Sequence, residues 1–218
     1  MSQRPSVGLI FDLDNTLVAS RIDFTAMRAA VFDVLREAGV SVTDEQRRWP
    51  VGRLAELARR AGDDEANDSY ARIWQLIEHY EVEGMKKATL EDGARQVTET
   101  LAAQGYPLAI VTNNSRASAL AILQAFDLTD PFRVILARED VPRLKPAPDG
   151  LLLARQHLGS PERAFMIGDA WLDGVAAQAA EARFVAVGAF RQGPTPCPVW
   201  AQIDELPELL ELDWWREQ

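Results

Sequence analysis

Apolar residues in this chain gather in short runs that end on polar clusters, and the runs alternate with segments of helical periodicity. Val7-Gly8-Leu9-Ile10, Leu108-Ala109-Ile110-Val111, Val134 to Leu136, Ala164-Phe165-Met166-Ile167 and Phe184 to Val187 are short, aliphatic and β-branched, and are read as buried strands. A helix is expected beyond Pro148 and another from Asp173 through Glu181, with Phe184 to Val187 as the last strand. Strand and helix in alternation predict an α/β fold, a Rossmann-like parallel sheet with helices on both faces. The tail from Asp204 to Leu212, apolar at Leu206, Leu209 and Leu210, reads as a closing helix. Trp214 and Trp215 are core anchors or a dimer contact, with packing favoured.

The alternation is interrupted between Asp12 and Leu108, where helical periodicity persists and no strand pattern emerges. Met27, Val31, Val34, Leu35 and Ala38 fall on one face, and Gly39 stops that helix. Thr43 and Gln46 have capping-box spacing ahead of a short segment that Pro50 should end. Leu54, Leu57 and Ala58 form another stripe, and Tyr70, Ile73, Trp74, Ile77 and Tyr80 mark a longer helix that stops near Gly84. Asp92-Gly93 then opens a helix with Val97 and Leu101 inward, which Gly105 closes. A small helical bundle over residues 18–87 is therefore expected inside an α/β domain formed by residues 1–17 and 88–218.

Composition narrows the function classes. The chain has 218 residues, 47% of them hydrophobic and 26% charged, enough for a well-buried core and a second small domain. A net charge of -10 argues against a nucleic-acid surface, and Arg47-Arg48, Arg59-Arg60 and Lys86-Lys87 are too short for a polybasic patch. Cys197 is the lone cysteine, so no intramolecular disulfide can form. Neither His79 nor His157 has a metal-ligand partner at helical spacing. No apolar run is long enough to cross a membrane and the amino terminus does not read as a signal peptide, so a cytoplasmic protein is expected.

The candidate chemistry lies at the ends of the strands. Phe11-Asp12-Leu13-Asp14-Asn15-Thr16 places two carboxylates where the first strand breaks, and in an open parallel sheet ligands bind beyond the carboxyl ends of the strands. Asp12 and Asp14, two residues apart on extended backbone, can face one ligand together. Their mutual repulsion would raise one pKa, and a divalent cation removes that penalty. An Asp-x-Asp pair alone also fits a turn cap or a solvated surface. Three further clusters shift the balance: Thr112-Asn113-Asn114-Ser115 after the second strand, Lys145-Pro146, and Gly168-Asp169-Ala170-Trp171-Leu172-Asp173.

With these four motifs in this order, the chain resembles the haloacid dehalogenase superfamily of hydrolases, in particular its phosphatase-like, phosphoglycolate phosphatase-like members with an inserted helical cap. The resemblance implies that Asp12 is the nucleophile and Asp14 the general acid and base. It implies that Thr112 and Lys145 hold phosphate, that Asp169 is a magnesium ligand, and that Asp173 supports it. Ala170 departs from the hydroxyl residue that relatives often carry there.

Residue chemistry runs the same way. Asp12 attacking phosphorus would form an aspartyl-phosphate, and Asp14 would protonate the departing alkoxide and later deprotonate water. Lys145 offers a point charge, Thr112 a hydroxyl, and backbone N–H groups near Asn113 the rest, helped by the amino end of the following helix. Magnesium suits hard oxygen ligands, here Asp12, Asp169 and the backbone carbonyl of Asp14. In relatives a cap loop reaches the substrate; Pro50-Val51-Gly52-Arg53 is the nearest match, making Arg53 a candidate contact, with Arg21, Asp23 and Arg28 weaker ones.

The expected activity is magnesium-dependent hydrolysis of a small phosphomonoester, phosphoglycolate-like or a sugar phosphate, by a monomer or homodimer. A sugar-phosphate mutase of the same superfamily would use nearly the same residues. A dehalogenase needs neither Asp14 nor Asp169, and a non-catalytic protein-binding relative would have no need of this arrangement of charge.

Overall fold

A computed structural model of the chain describes residues 6–60 and 64–215. Its main sheet has six strands: β1 (Val7–Phe11), β4 (Leu108–Val111), β5 (Phe132–Leu136), β6 (Arg163–Gly168), β7 (Arg183–Val187) and β8 (Ala201–Ile203). They are ordered β5-β4-β1-β6-β7-β8, and every pairing is parallel. All five residues of β1 are buried, as a central strand covered on both faces requires. The chain runs outward from β1 through β4 to β5, then returns to the other side of β1 at β6. That reversal creates a crevice at the carboxyl ends of β1, β4 and β6.

Side-chain alternation divides the sheet between two cores. Ile10, Ala109, Val111, Leu136, Met166, Phe184 and Ala186 meet the apolar sides of α6 (Asp149–His157) and α7 (Trp171–Ala179). On the opposite face, Phe165 packs edge-on to Trp200 and Trp214, whose rings stack on each other with centroids 6.0 Å apart. Phe11 meets Phe132 on that face too. Phe132 and Val134 serve opposite faces although two apart, because the β4–β5 register shifts by one residue between Leu108 and Ala109. Between the strands, α4 (Ala94–Ala103) packs on β4 and on a 3-10 turn at Leu206–Glu211, and α5 (Arg116–Ala125) follows β4.

Several elements differ from the sequence expectation. Phe184–Val187 is not the last strand, since Ala201–Ile203 adds a three-residue edge too short to show a periodic pattern. The tail is helical, as expected, but shorter and of the 3-10 kind, Leu206–Glu211: Pro207 sits in its first turn, and the Glu208 carboxylate accepts the N–H groups of Asp204 and Glu205. The region between Asp12 and Leu108 also contains two two-residue strands, β2 (Val18–Ala19) and β3 (Thr89–Leu90), paired antiparallel. α7 starts at Trp171, and Asp173 is a capping residue within its first turn.

The chain divides into two compact units, one taken from both ends up to Ser20 and from Ala88, the other Arg21–Lys87. The β2–β3 pair keeps residues 18 and 19 with the first unit. The second unit contains α1 (Phe24–Glu37), α2 (Val51–Arg60) and α3 (Asp64–Met85). Met27, Val31, Val34 and Leu35 of α1, Leu54, Ala55 and Ala58 of α2, and Ile73 and Ile77 of α3 are buried. Thr43 and Gln46 form the reciprocal bonds of a capping box ahead of a single 3-10 turn. Gly84 is required by close approach, since a Cβ there would lie 2.6 Å from the Ile22 backbone.

Trp214 is 2% exposed and stacked among rings of the first unit, a core position. Truncation to alanine should cost about 3–5 kcal/mol of stability. Chemical denaturation of Trp214→Ala should show an earlier midpoint with the solution mass unchanged; an unchanged midpoint with a smaller mass would assign this tryptophan to a subunit contact.

Candidate active site

Strand pairing carries the first two motifs past their strands. The Asp12 N–H donates to the Ile167 carbonyl at 2.9 Å, extending the β1–β6 ladder by one residue. The Thr112 N–H does the same toward Leu136, also at 2.9 Å. Beyond Asp12 the backbone turns back, with Asn15 in the left-handed region at φ 56° and its N–H on the Val18 carbonyl at 2.7 Å. Asparagine tolerates that conformation. Asp14 is half-buried at the start of the turn. On the next strand Gly168 leaves room for the Asp173 carboxylate, which a Cβ would meet at 2.4 Å.

Lys145 organises the carboxylates. Its Nζ donates to Asp12 Oδ1 at 2.5 Å and to Asp173 Oδ1 at 2.6 Å, with its side chain almost wholly buried. The second Asp173 oxygen accepts the Ala170 N–H at 3.1 Å, so Asp173 ties the loop carrying Asp169 to the lysine. Asp12, Asp169 and Asp173 each offer an oxygen within 4.8 Å of the others. Burial works to lower the Lys145 pKa, but two carboxylates sharing one ammonium more than offset it, and the group is held charged. Burial raises Asp169 to about 8, helped by repulsion from Asp12 and Asp173. Burial likewise raises Asp173 to about 6, against the pull of Lys145.

That donor set fits a hard divalent cation. With all three carboxylates ionised against one ammonium, two negative charges would be left for an ion to balance, and the donors are all carboxylate oxygens. Asp12 and Asp169 are the residues best placed to hold such an ion, because both oxygens of Asp173 are already engaged. Ala170, despite lacking a hydroxyl, contributes the N–H that orients Asp173.

The second motif is built differently from the expectation. The buried Thr112 Oγ1 accepts the Asn114 N–H at 3.2 Å. The Asn113 side chain faces Lys145, with Nδ2 donating to the Lys145 carbonyl and Oδ1 accepting the Lys145 N–H, both at 3.0 Å. At the amino end of α5, expected to help hold phosphate, Ser115 Oγ accepts the Ser118 N–H. Glu139 accepts the Arg116 N–H at 2.8 Å. Side chains thus take donors that a bound anion would use. The role of Glu139 went unseen in sequence because 23 positions separate it from Arg116.

The remaining candidates, Arg21, Asp23, Arg28 and Arg53, belong to the second unit, and Cys197 to the first. Asp23 caps α1 by accepting the Ala26 N–H at 2.8 Å. Arg28 donates to the carbonyls of Arg47 and Trp49, at 3.1 and 2.6 Å, anchoring the loop before α2. Arg53 lies over the Trp49 ring, 3.7 Å from its centroid. Cys197 is buried, with its N–H on the Gln192 side chain.

The chain is similar to several known proteins. Residues 9–187 match the family described as haloacid dehalogenase-like hydrolase. Phosphoglycolate phosphatase of Rhodobacter capsulatus is 34% identical over 185 residues, 82% of each chain. That of Nitrosococcus oceani is 30% identical, over 85% of this chain and 84% of its own. Among solved structures, CbbY from Rhodobacter sphaeroides in complex with phosphate has a TM-score of 0.64 at 24% identity, covering 94% of this chain and 96% of that one. A hydrolase from Pseudomonas syringae has a TM-score of 0.66 at 24% identity, covering 94% and 97%.

The raised carboxyls give a pH signature. A carboxyl whose folded pKa lies above its unfolded value stabilises the fold at low pH, and this is lost as pH rises through the folded value. Without a cation, ionisation of Asp173 near 6 and Asp169 near 8 therefore weakens the fold progressively. The rise in Tm given by saturating divalent cation should grow from pH 5 to pH 8.5; a rise that stays constant or shrinks would contradict the assignment of Asp169 to the cation site.

Proposed function

The chain belongs to the haloacid dehalogenase-like hydrolase family, and from that premise we propose that it is a magnesium-dependent phosphatase of a small phosphomonoester, phosphoglycolate-like or a sugar phosphate. The observation that carries this reading is the pairing of Lys145 with Asp12 and Asp173 beside Asp169 at the carboxyl ends of β1 and β6. The phosphoglycolate phosphatases among its relatives support the substrate class, and the phosphate complex of CbbY supports a phosphate site on this fold. No described helix is long and apolar enough to cross a membrane; a cytoplasmic setting is part of the proposal.

In the proposed mechanism Asp12 is the nucleophile. Its Oδ1 is held by the lysine, so Oδ2 attacks phosphorus and the bond to the leaving alkoxide breaks. Asp14 gives its proton to that alkoxide. It then takes a proton from water, whose oxygen attacks the aspartyl-phosphate, breaks the phosphorus bond to Asp12 and releases inorganic phosphate. Lys145, the Thr112 hydroxyl and the backbone N–H of Asn113 oppose the charge on the transferring group. Asp12, Asp169 and the backbone carbonyl of Asp14 are proposed to hold magnesium, with Asp173 in support; bound there, the ion would screen the phosphoryl oxygens from the attacking carboxylate. Arg53, whose guanidinium carbon lies over the Trp49 ring, is the proposed contact for a substrate carboxylate or second phosphate.

Phosphate release from p-nitrophenyl phosphate and a panel of small phosphomonoesters, with magnesium and with chelator, tests the reading. Magnesium-dependent release is expected, and Asp12→Asn should lower it by at least about 10³-fold with the fold intact. Release that persists in chelator or in Asp12→Asn would refute the mechanism, and transfer of phosphate within a sugar phosphate without net release would identify a mutase. In a metal titration Asp169→Asn should weaken binding more than Asp14→Asn, because only the backbone of residue 14 is a proposed ligand; equal losses would count against that division.

A further inference from the structure

We infer that Asn113 is a positioning residue, which sets the Lys145 ammonium between Asp12 and Asp173 by clamping the lysine backbone. Its side-chain amide donates to the carbonyl and accepts from the N–H of one and the same residue, both at 3.0 Å. The orientation of the amide is fixed by chemistry, since a flipped group would set NH₂ against N–H and oxygen against oxygen. Asp would offer two acceptors, Ser a single hydroxyl, and Ala nothing. Lys145 lies in the loop between β5 and α6, outside any strand ladder. Its backbone is tied to the end of β4 through the side chain of residue 113.

The clamp also explains how two distant motifs act together. Thr112 is bonded to the end of β5 through Leu136, and the next residue grips Lys145. Any shift of the lysine loop is therefore resisted by the same backbone that carries the threonine hydroxyl. A lysine side chain is long and rotamer-rich, and it can bridge two carboxylates on separate elements only if its base is fixed. Of the 23 basic residues in the chain, Lys86, Lys87 and Lys145 are the lysines. Selective nitrogen-15 lysine labelling consequently yields three backbone amide signals, one of which reports the clamp directly.

The kinetic consequence rests on the phosphatase reading; the clamp itself does not. In the labelled protein, Asn113→Ala should speed hydrogen exchange of the Lys145 amide roughly tenfold or more. The Lys86 and Lys87 amides, bonded to the carbonyls of Val82 and Gly84, should be unchanged and serve as internal controls for exchange conditions and for the fold of the second unit, while an unchanged midpoint of chemical denaturation controls for the first. Asn113→Asp, close to isosteric, keeps an acceptor for that N–H but turns an oxygen toward the Lys145 carbonyl. It should fold, retain more amide protection than Asn113→Ala, and still lose turnover. On p-nitrophenyl phosphate, kcat of Asn113→Ala should fall toward that of Lys145→Ala with a smaller change in KM. Adding Asn113→Ala to Lys145→Ala should cost nothing further. Unchanged Lys145 amide exchange in Asn113→Ala, or losses that multiply in the double variant, would overturn the clamp. Absence of turnover in the unsubstituted enzyme would instead defeat the phosphatase reading, leaving the exchange data to decide the clamp.

Discussion

Lys145 carries its ammonium into an almost wholly buried position where Asp12 and Asp173 bond it at 2.5 and 2.6 Å, and the rest of the site is arranged around that contact. Burying charge is costly, and removing one partner of such a group strands the others. Here the cost is met by sharing: one cation serves two carboxylates, one of which also accepts the Ala170 N–H. Asp169 is left outside the pairing and is pushed toward its neutral form by burial. The pocket is thus short of positive charge in the protein alone, the condition that a divalent cation or a cation-bound phosphoryl group would relieve. A guanidinium, with its planar fork, is poorly suited to a point between two separate carboxylates, whereas an ammonium with three donors fits.

The topology makes this cluster possible. Asp12, Lys145 and Asp173 are far apart in sequence, 133 residues in one case and 28 in the other, yet meet at one end of the sheet. The reversal of strand order around β1 puts the ends of β4 and β6 on either side of Asp12. Each strand hands its last ladder bond to a candidate site residue, Asp12 to Ile167 and Thr112 to Leu136. The sheet core therefore fixes the site's backbone before any side chain acts. Polar contacts such as Asn113 with the Lys145 backbone, or Gly168 yielding space to Asp173, make the finer adjustment.

The strands that build this end of the sheet were legible in sequence because a strand buried on both faces reads as an unbroken apolar run. β1 and β4 have this form throughout, β6 and β7 have it after their opening arginines, and the polar clusters that follow β1, β4 and β6 mark the candidate site. Elements that lack a period were invisible: β8 has three residues, β2 and β3 have two each, and the tail is shaped by Pro207 and Glu208 rather than by its leucines. The four motifs brought together the residues that the fold gathers, but their partnerships were not readable. Nothing in the order of residues says that Asn113 spends its side chain on Lys145, that Glu139 occupies an amide of α5, or that Arg53 lies on Trp49. Such contacts depend on loop paths, which hydrophobic patterning does not constrain.

The measurement that bears most directly on Asp12 as nucleophile is a rapid acid quench of a single turnover with a phosphomonoester carrying a labelled phosphoryl group, followed by mapping of the label on the protein. Label should appear transiently on the peptide containing Asp12 and be absent in Asp12→Asn. Turnover with no label on the protein, or label on another residue, would contradict nucleophilic attack by Asp12.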